Sequence, residues 1–214
     1  MNLAGFRRAS DLALAVGAPL VLAFVELFHP HAGDLLQLDV PRWLWVHYAQ
    51  ILLFPLAALA VTRLVRGHAD VAARLCRAAM FLFAASYIAF DTAAGVVTGI
   101  LVDAARASGS PESWRAPIEA VWTHPIVGGS SQVAAPFLAI AGSVLLSIGA
   151  ISAAVSLKRN GNSWPPVTLL AAASFGIAIF HSHAWPGGPV TFGGIAIAAA
   201  WIFYERSRLM APHV

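Results

Sequence analysis

The side chains able to do chemistry in this 214-residue chain are few and unevenly spread. Glu26 and His29 are three residues apart at the end of an apolar run. His47 and Gln50 repeat that spacing in the next run, and Tyr87 and Asp91 are four apart in the third. Residues three or four apart share a helix face, so each pair can address one point in space. His181 and His183 follow at the end of a fifth run, in "HSHAWPGGP". In a continuing helix those two would diverge by about 200°, which makes His181 the preferred ligand and His183 a supporting group.

Neutral imidazole beside carboxylate is the ligand chemistry of zinc and of ferrous iron. A Glu-x-x-His turn supplies two ligands to one metal in carboxylate-bridged bundles, but there the pattern occurs twice. Here it occurs once, so a single divalent metal ion, zinc or iron, is expected. Its ligands would be His29, His47, His181 and Glu26. Glu26 and Asp91 are the candidate catalytic groups, with Gln50, Tyr87, His183 and His124 as outer-shell or substrate contacts. Each has a plainer alternative. His31 and His124 sit beside loops and suit solvent, and His124–Pro125 can simply break the chain. Asp91, the deepest ionisable group, lies about 18 Å along its helix from Asp103 and could be a neutral acid joining two helices.

Long apolar elements must carry these groups. The chain is 59% hydrophobic and 11% charged, with mean hydropathy +0.74. A soluble domain carries about 25% charge, so composition places the chain in a bilayer. Six apolar segments are expected, near Leu12–Phe28, Trp43–Thr62, Leu75–Val102, Gln132–Leu157, Val167–Phe180 and Val190–Phe203. The last two are short for a full span of about 20 residues. The first follows "RRASD" without a cleavage motif after it, so it reads as a helix rather than a signal peptide.

Of thirteen basic residues, ten fall on one side of these segments and only Arg42, Arg106 and Arg115 on the other. The positive-inside rule then puts both termini in the cytoplasm of a bacterial inner-membrane protein, and six histidines toward the outer side. The basic pI near 9.6 is thus a topology signal, and no nucleic-acid partner is expected. A single domain over 1–214 is expected. In the long outer connection between the third and fourth segments, "SPESWRAPIEAVW" carries a Ser110 cap, Pro111 and Glu112, and predicts a short interfacial helix. Trp43, Trp45, Tyr48, Trp114, Trp122 and Trp185 form an expected outer aromatic belt, and Trp164, Trp201 and Tyr204 an inner one. "GVVTG", Gly95 to Gly99, lets another helix come close. The lone Cys76 excludes an internal disulfide and a multi-thiolate metal centre. Phosphate-loop, nucleophile-elbow, zinc-protease and haem-attachment motifs are all missing from the sequence.

The segments "VHYAQILLFPL" and "SYIAFDTAAGVVTGILV" resemble small multipass membrane proteins of high-GC bacteria that have no assigned role. The resemblance implies a six-helix bacterial membrane protein and carries no activity or ligand.

The resulting expectation is an all-α, six-span membrane protein with an outward His/carboxylate site. Its function would be a metal-dependent hydrolase or oxidoreductase acting on an apolar or amphipathic small molecule from the lipid bilayer. The alternatives are haem b electron transfer, with His47 and His181 as axial ligands, and a proton-coupled small transporter using Asp91. A homo-oligomer is compatible with each.

Overall fold

The computed structural model describes residues 9–31, 33–130 and 136–209. The described residues are helical or in turns, with no strand among them. The helices are α1 (Ala9–Glu26), α2 (Val40–Leu64), α3 (Val71–Ala107), α4 (Arg115–Trp122), α5 (Phe137–Arg159), α6 (Trp164–Ala173), α7 (Gly176–Phe180) and α8 (Gly187–Leu209). Five of these, α1, α2, α3, α5 and α8, are long and apolar enough to cross a membrane. The expected fifth segment is instead a shorter pair: α6 and α7 together span Trp164–Phe180, interrupted at Ser174–Phe175. Arg7, Arg8, Gln132 and His213 lie outside the described residues.

Punctuation in the sequence sets where helices start and turn. Asp39 accepts a hydrogen bond from the Arg42 amide at the head of α2, and Asp70 accepts one from Ala73 at the head of α3. These carboxylates satisfy amides that a helix start leaves unpaired. The Ser156 hydroxyl also donates to Asp70, at 2.7 Å, and holds that carboxyl below its usual range. Tight turns follow α2 and α5 at Gly67 (φ 85°) and Gly161 (φ 90°), a backbone region that favours glycine. Pro165 and Pro166 open α6, where missing amides cost nothing.

Two helices contain wide π-type turns. Ala13–Gly17 in α1 comes just before Pro19, which can neither donate to the previous turn nor tolerate its carbonyl. Asp91–Val97 in α3 has no proline to explain it. Its cause lies in the packing of α2, described below.

The most extensively packed pair is α3 with α5, running antiparallel. Tyr87 lies over Gly142, and one heptad away Met80 lies over Gly149. A Cβ on Gly142 would come 2.4 Å from the Tyr87 ring, so the close approach depends on glycine. Around this pair a main core gathers Phe54, Phe83, Tyr87, Leu146, Leu170 and Phe192. A smaller core closes one end of the bundle, where Leu35, Leu36 and Leu38 meet Trp43, Val102 and Ile118 of α4. Arg106 ties it down by donating to the Leu36 and Leu38 carbonyls.

Gly142→Ala is expected to destabilise the protein by about 1–3 kcal/mol, because the Tyr87 ring is rigid and cannot yield. Gly17→Ala, with open space around it, is expected to be neutral or stabilising. Thermal unfolding of both variants in detergent checks the contrast.

Candidate functional site

At the end of the bundle closed by the smaller core lies a cavity of about 900 Å³. His29, His47, Asp91, Tyr87 and His183 line it, with His31, His181 and Trp185 at its exposed rim.

The π-turn of α3 is explained here. Trp43 is buried rather than part of an exposed aromatic belt, and its indole N–H donates to the Gly95 carbonyl at 2.7 Å. The His47 ring fills the space in front of Gly95, where a Cβ would come within 1.8 Å of it. Trp43 also covers Gly99. The "GVVTG" pair therefore admits two aromatic side chains of α2, and the helix widens where they press in. The widened stretch starts at Asp91 and holds that residue inside the cavity wall.

Asp91 is fully buried, and neither of its oxygens has a hydrogen-bond partner. His47 Nε2 stands 3.8 Å from Asp91 Oδ1, beyond hydrogen-bond reach. The other His47 nitrogen, Nδ1, lies 2.7 Å from the Trp43 carbonyl and can only donate to it. That fixes the tautomer and leaves a lone pair on Nε2 facing Asp91.

His29 repeats this arrangement. The helix that carries Glu26 has ended, so the two do not share a helix face. The chain turns through Leu27 and Phe28, and His29 folds back with Nδ1 on the Pro30 carbonyl at 2.8 Å. Its Nε2 is shut off from solvent and has no partner. Burial holds this imidazole neutral, with its pKa pushed down to about 4.

The last turn of α7 settles the two remaining histidines. His181 takes a left-handed conformation (φ 52°), which stops the helix and leaves its ring exposed at the rim. The chain has reversed by His183, whose Nε2 is sequestered and unpaired. The His183 ring sits 4.9 Å from that of His29, and the His47 ring 4.9 Å from His29 on another side. His29 thus stands between His47 and His183. Burial lowers the His183 pKa well below its ordinary value. His183, rather than His181, is the fifth-run histidine that meets the others.

Glu26 is also fully buried, but its partner is Gln50, whose amide donates to both carboxylate oxygens at 2.9 Å. Gly188, at the head of α8, packs so closely that a Cβ there would be 2.7 Å from Glu26 and 1.8 Å from the His183 carbonyl. This pair lies behind the cavity lining and braces α1 against α2 and α8. Tyr87 exchanges a hydrogen bond with Ser143 at 3.0 Å, and its ring joins Phe54, Phe83 and Phe90 beneath the histidines. His124 is exposed, accepts from the Ile126 amide and does not reach the cavity.

Sequence reasoning took Trp43 for an interfacial anchor and Gly95 only for a helix-packing site, and it missed Ser143 and Gly188. Only Gly95 carried a signal, in its spacing to Gly99. As the side chains stand, no group of three or more His, Cys, Asp or Glu among the described residues is placed to hold a metal ion.

Compared with family models, curated proteins and solved structures, the chain matches none.

The neutral histidines make stability depend on pH. The unfolded chain takes up protons near pH 6.5, while folded His29 resists protonation to about pH 4. Between those values the unfolded state binds more protons, so stability must fall as the pH falls. The expected slope is about 1.4 kcal/mol per pH unit for one such site. His29→Asn should reduce the slope by about that one-site amount, His183 supplying the remainder, as measured by thermal melts across pH 4–7.

Proposed function

We propose that this is a multipass membrane protein whose buried His/Asp cavity binds one divalent metal ion and uses it for hydrolysis. The observation that carries this proposal is the triplet of imidazole rings around His29. Two sequestered Nε2 atoms without partners, on His29 and His183, accompany a third imidazole and an unpaired carboxylate. Leaving such groups unpaired in a bilayer costs several kcal/mol, unless something absent from the polypeptide satisfies them.

The spacing supports a cation. Two imidazoles on one tetrahedral ion, bound at about 2.0–2.1 Å, have ring centroids about 5 Å apart. The two observed separations from His29 are both 4.9 Å. An imidazole nitrogen and a carboxylate oxygen on such an ion are about 3.4 Å apart, against 3.8 Å for His47 and Asp91. Small rotations would therefore bring His47 and Asp91 with His29, or His29 with His183, onto an ion. The backbone carbonyls under His29 and His47 act as the outer partners that orient ligating imidazoles.

A bound ion would polarise a water molecule or a substrate oxygen, with Asp91 placed to accept the proton. Hydrolysis needs only the ion, water and this base; an oxidoreductase would also need an electron acceptor. Zinc fits the neutral nitrogen ligands and iron is the second choice. Haem b fits less well, because His181, one of its two expected axial ligands, is exposed at the rim while His47 is buried. For the proton-coupled transport alternative, the closed aromatic layer below Tyr87 offers no continuation.

The surrounding frame belongs to the same proposal. Six spans, with α6 and α7 as a short sixth one, put both termini on the Arg-rich side, in the bacterial cytoplasm. The cavity then opens to the outer side, with α4 lying along that interface.

Elemental analysis of detergent-purified protein is expected to give about one zinc or iron per chain. His29→Ala, which removes the imidazole common to both ligand sets, should lower that by about tenfold at equal free metal, as should one of His47→Ala and His183→Ala, while His124→Ala leaves it unchanged. A metal-free protein that takes up neither ion would end the proposal, and a Soret band would replace it with haem.

A further inference from the structure

The cavity reaches the side of the bundle, through a part of the wall made of exposed apolar residues. Ile140 and Val144 of α5 are 49% and 51% exposed, and Phe180 of α7 is 44% exposed, yet all three line the cavity. Ala178, also exposed, lines it between them. In a bilayer such residues are the surface that acyl chains touch. The gap exists because α7 has only five residues and stops at the left-handed His181, so α5 lacks a full-length neighbour at this level.

The lining inside carries the Tyr87 and Ser143 hydroxyls together with His183, His29 and Asp91. Phe54, Phe83, Phe90 and Phe192 form the apolar bed below. No Lys or Arg is among the described residues lining the cavity, and its only acid is Asp91. A phosphate headgroup would find no cation to pair with, whereas an alcohol, ester or amide could use the hydroxyls and imidazoles.

We propose that the α5–α7 gap is a lateral portal through which a long-chain amphiphile with an uncharged oxygen-bearing head enters from the bilayer. This rests on the metal-site proposal only for what happens to the head once inside. The head reaches Tyr87, Ser143 and His183, while the chain stays between α5 and α7 or in the surrounding lipid. Access from lipid also explains why the rim histidines, His31 and His181, need not be crossed by the apolar part.

The test uses full-length protein in nanodiscs and a long-chain fatty alcohol carrying a diazirine near its head. A chain-matched alkyl phosphate with the same diazirine serves as the comparison probe. Light-induced labelling, mapped by mass spectrometry, is expected on the 136–144 and 177–184 peptides. An unlabelled monoacylglycerol should compete. Val144→Trp and Ala178→Trp each narrow the portal from outside the cavity floor and should cut labelling by about tenfold, or 1.4 kcal/mol in occupancy. Phe137→Trp, lipid-facing but outside the cavity lining, should leave it unchanged.

Equal labelling of both portal variants and the parent protein would overturn the inference, as would equal labelling by the alkyl phosphate. Metal content separates the two proposals. If Val144→Trp loses the label but keeps the ion, portal and metal site stand independently. If the parent protein is labelled at these peptides yet binds no ion, the metal reading falls and the portal stays.

Discussion

Asp91 is the constraint around which this end of the bundle is organised. It is a carboxyl with no exposed surface and no hydrogen-bond partner, set in the wall of an apolar bundle. Such a group is tolerated when the surroundings give it neutral company or a counter-charge. The protein supplies His47 at 3.8 Å and positions that ring through three contacts at once. The Trp43 carbonyl takes Nδ1, the missing side chain of Gly95 makes room for the ring, and the Trp43 indole is itself anchored on the Gly95 carbonyl. The π-turn of α3 is the structural cost of fitting both aromatic rings against one glycine. A helix of regular pitch would move either Asp91 or Gly95 off this register.

The same economy of space recurs on the other side of the cavity. Gly188 brings the start of α8 against the His183 carbonyl and Glu26. Glu26 is locked by Gln50, which joins α1 to α2, and Gly188 lets α8 pack directly on the Glu26 side chain. The two buried carboxyls therefore differ in role: Glu26 is satisfied and structural, while Asp91 faces the cavity.

Much of this was legible in the sequence because apolar length and charge spacing are strong signals. The helical class and a close approach of some helix at Gly95–Gly99 follow from residue type and position; that the approaching helix is α2 does not. The importance of Glu26, His29, His47, Gln50 and Asp91 as buried polar groups could be anticipated from their place in apolar runs. Which histidine of "HSH" turns inward could not. A continuing helix favours His181, but the left-handed residue at that position redirects the chain, and no periodicity encodes a reversal. Trp43 was misjudged for a related reason. An aromatic residue near a helix end looks the same whether it anchors at an interface or hydrogen-bonds across to a neighbouring helix.

The aromatic layer beneath the site decides what kind of access the cavity can offer. Phe54, Phe83 and Phe192 are fully buried, and Tyr87 nearly so, in one continuous cluster with the main core. A solute reaching Asp91 must leave by the end or the side it came from, since passage through would require opening the tightest packed pair of helices, α3 and α5. The glycines at 142 and 149 make that pair close-fitting rather than sliding, because Tyr87 and Met80 are seated where side chains would otherwise keep the helices apart. In the reading proposed above, a chamber closed at its floor, with an apolar bed and a polar wall, would hold an amphiphile by its chain with its head toward Asp91 and the histidines. That would suit transformation of a membrane-dissolved molecule better than its translocation.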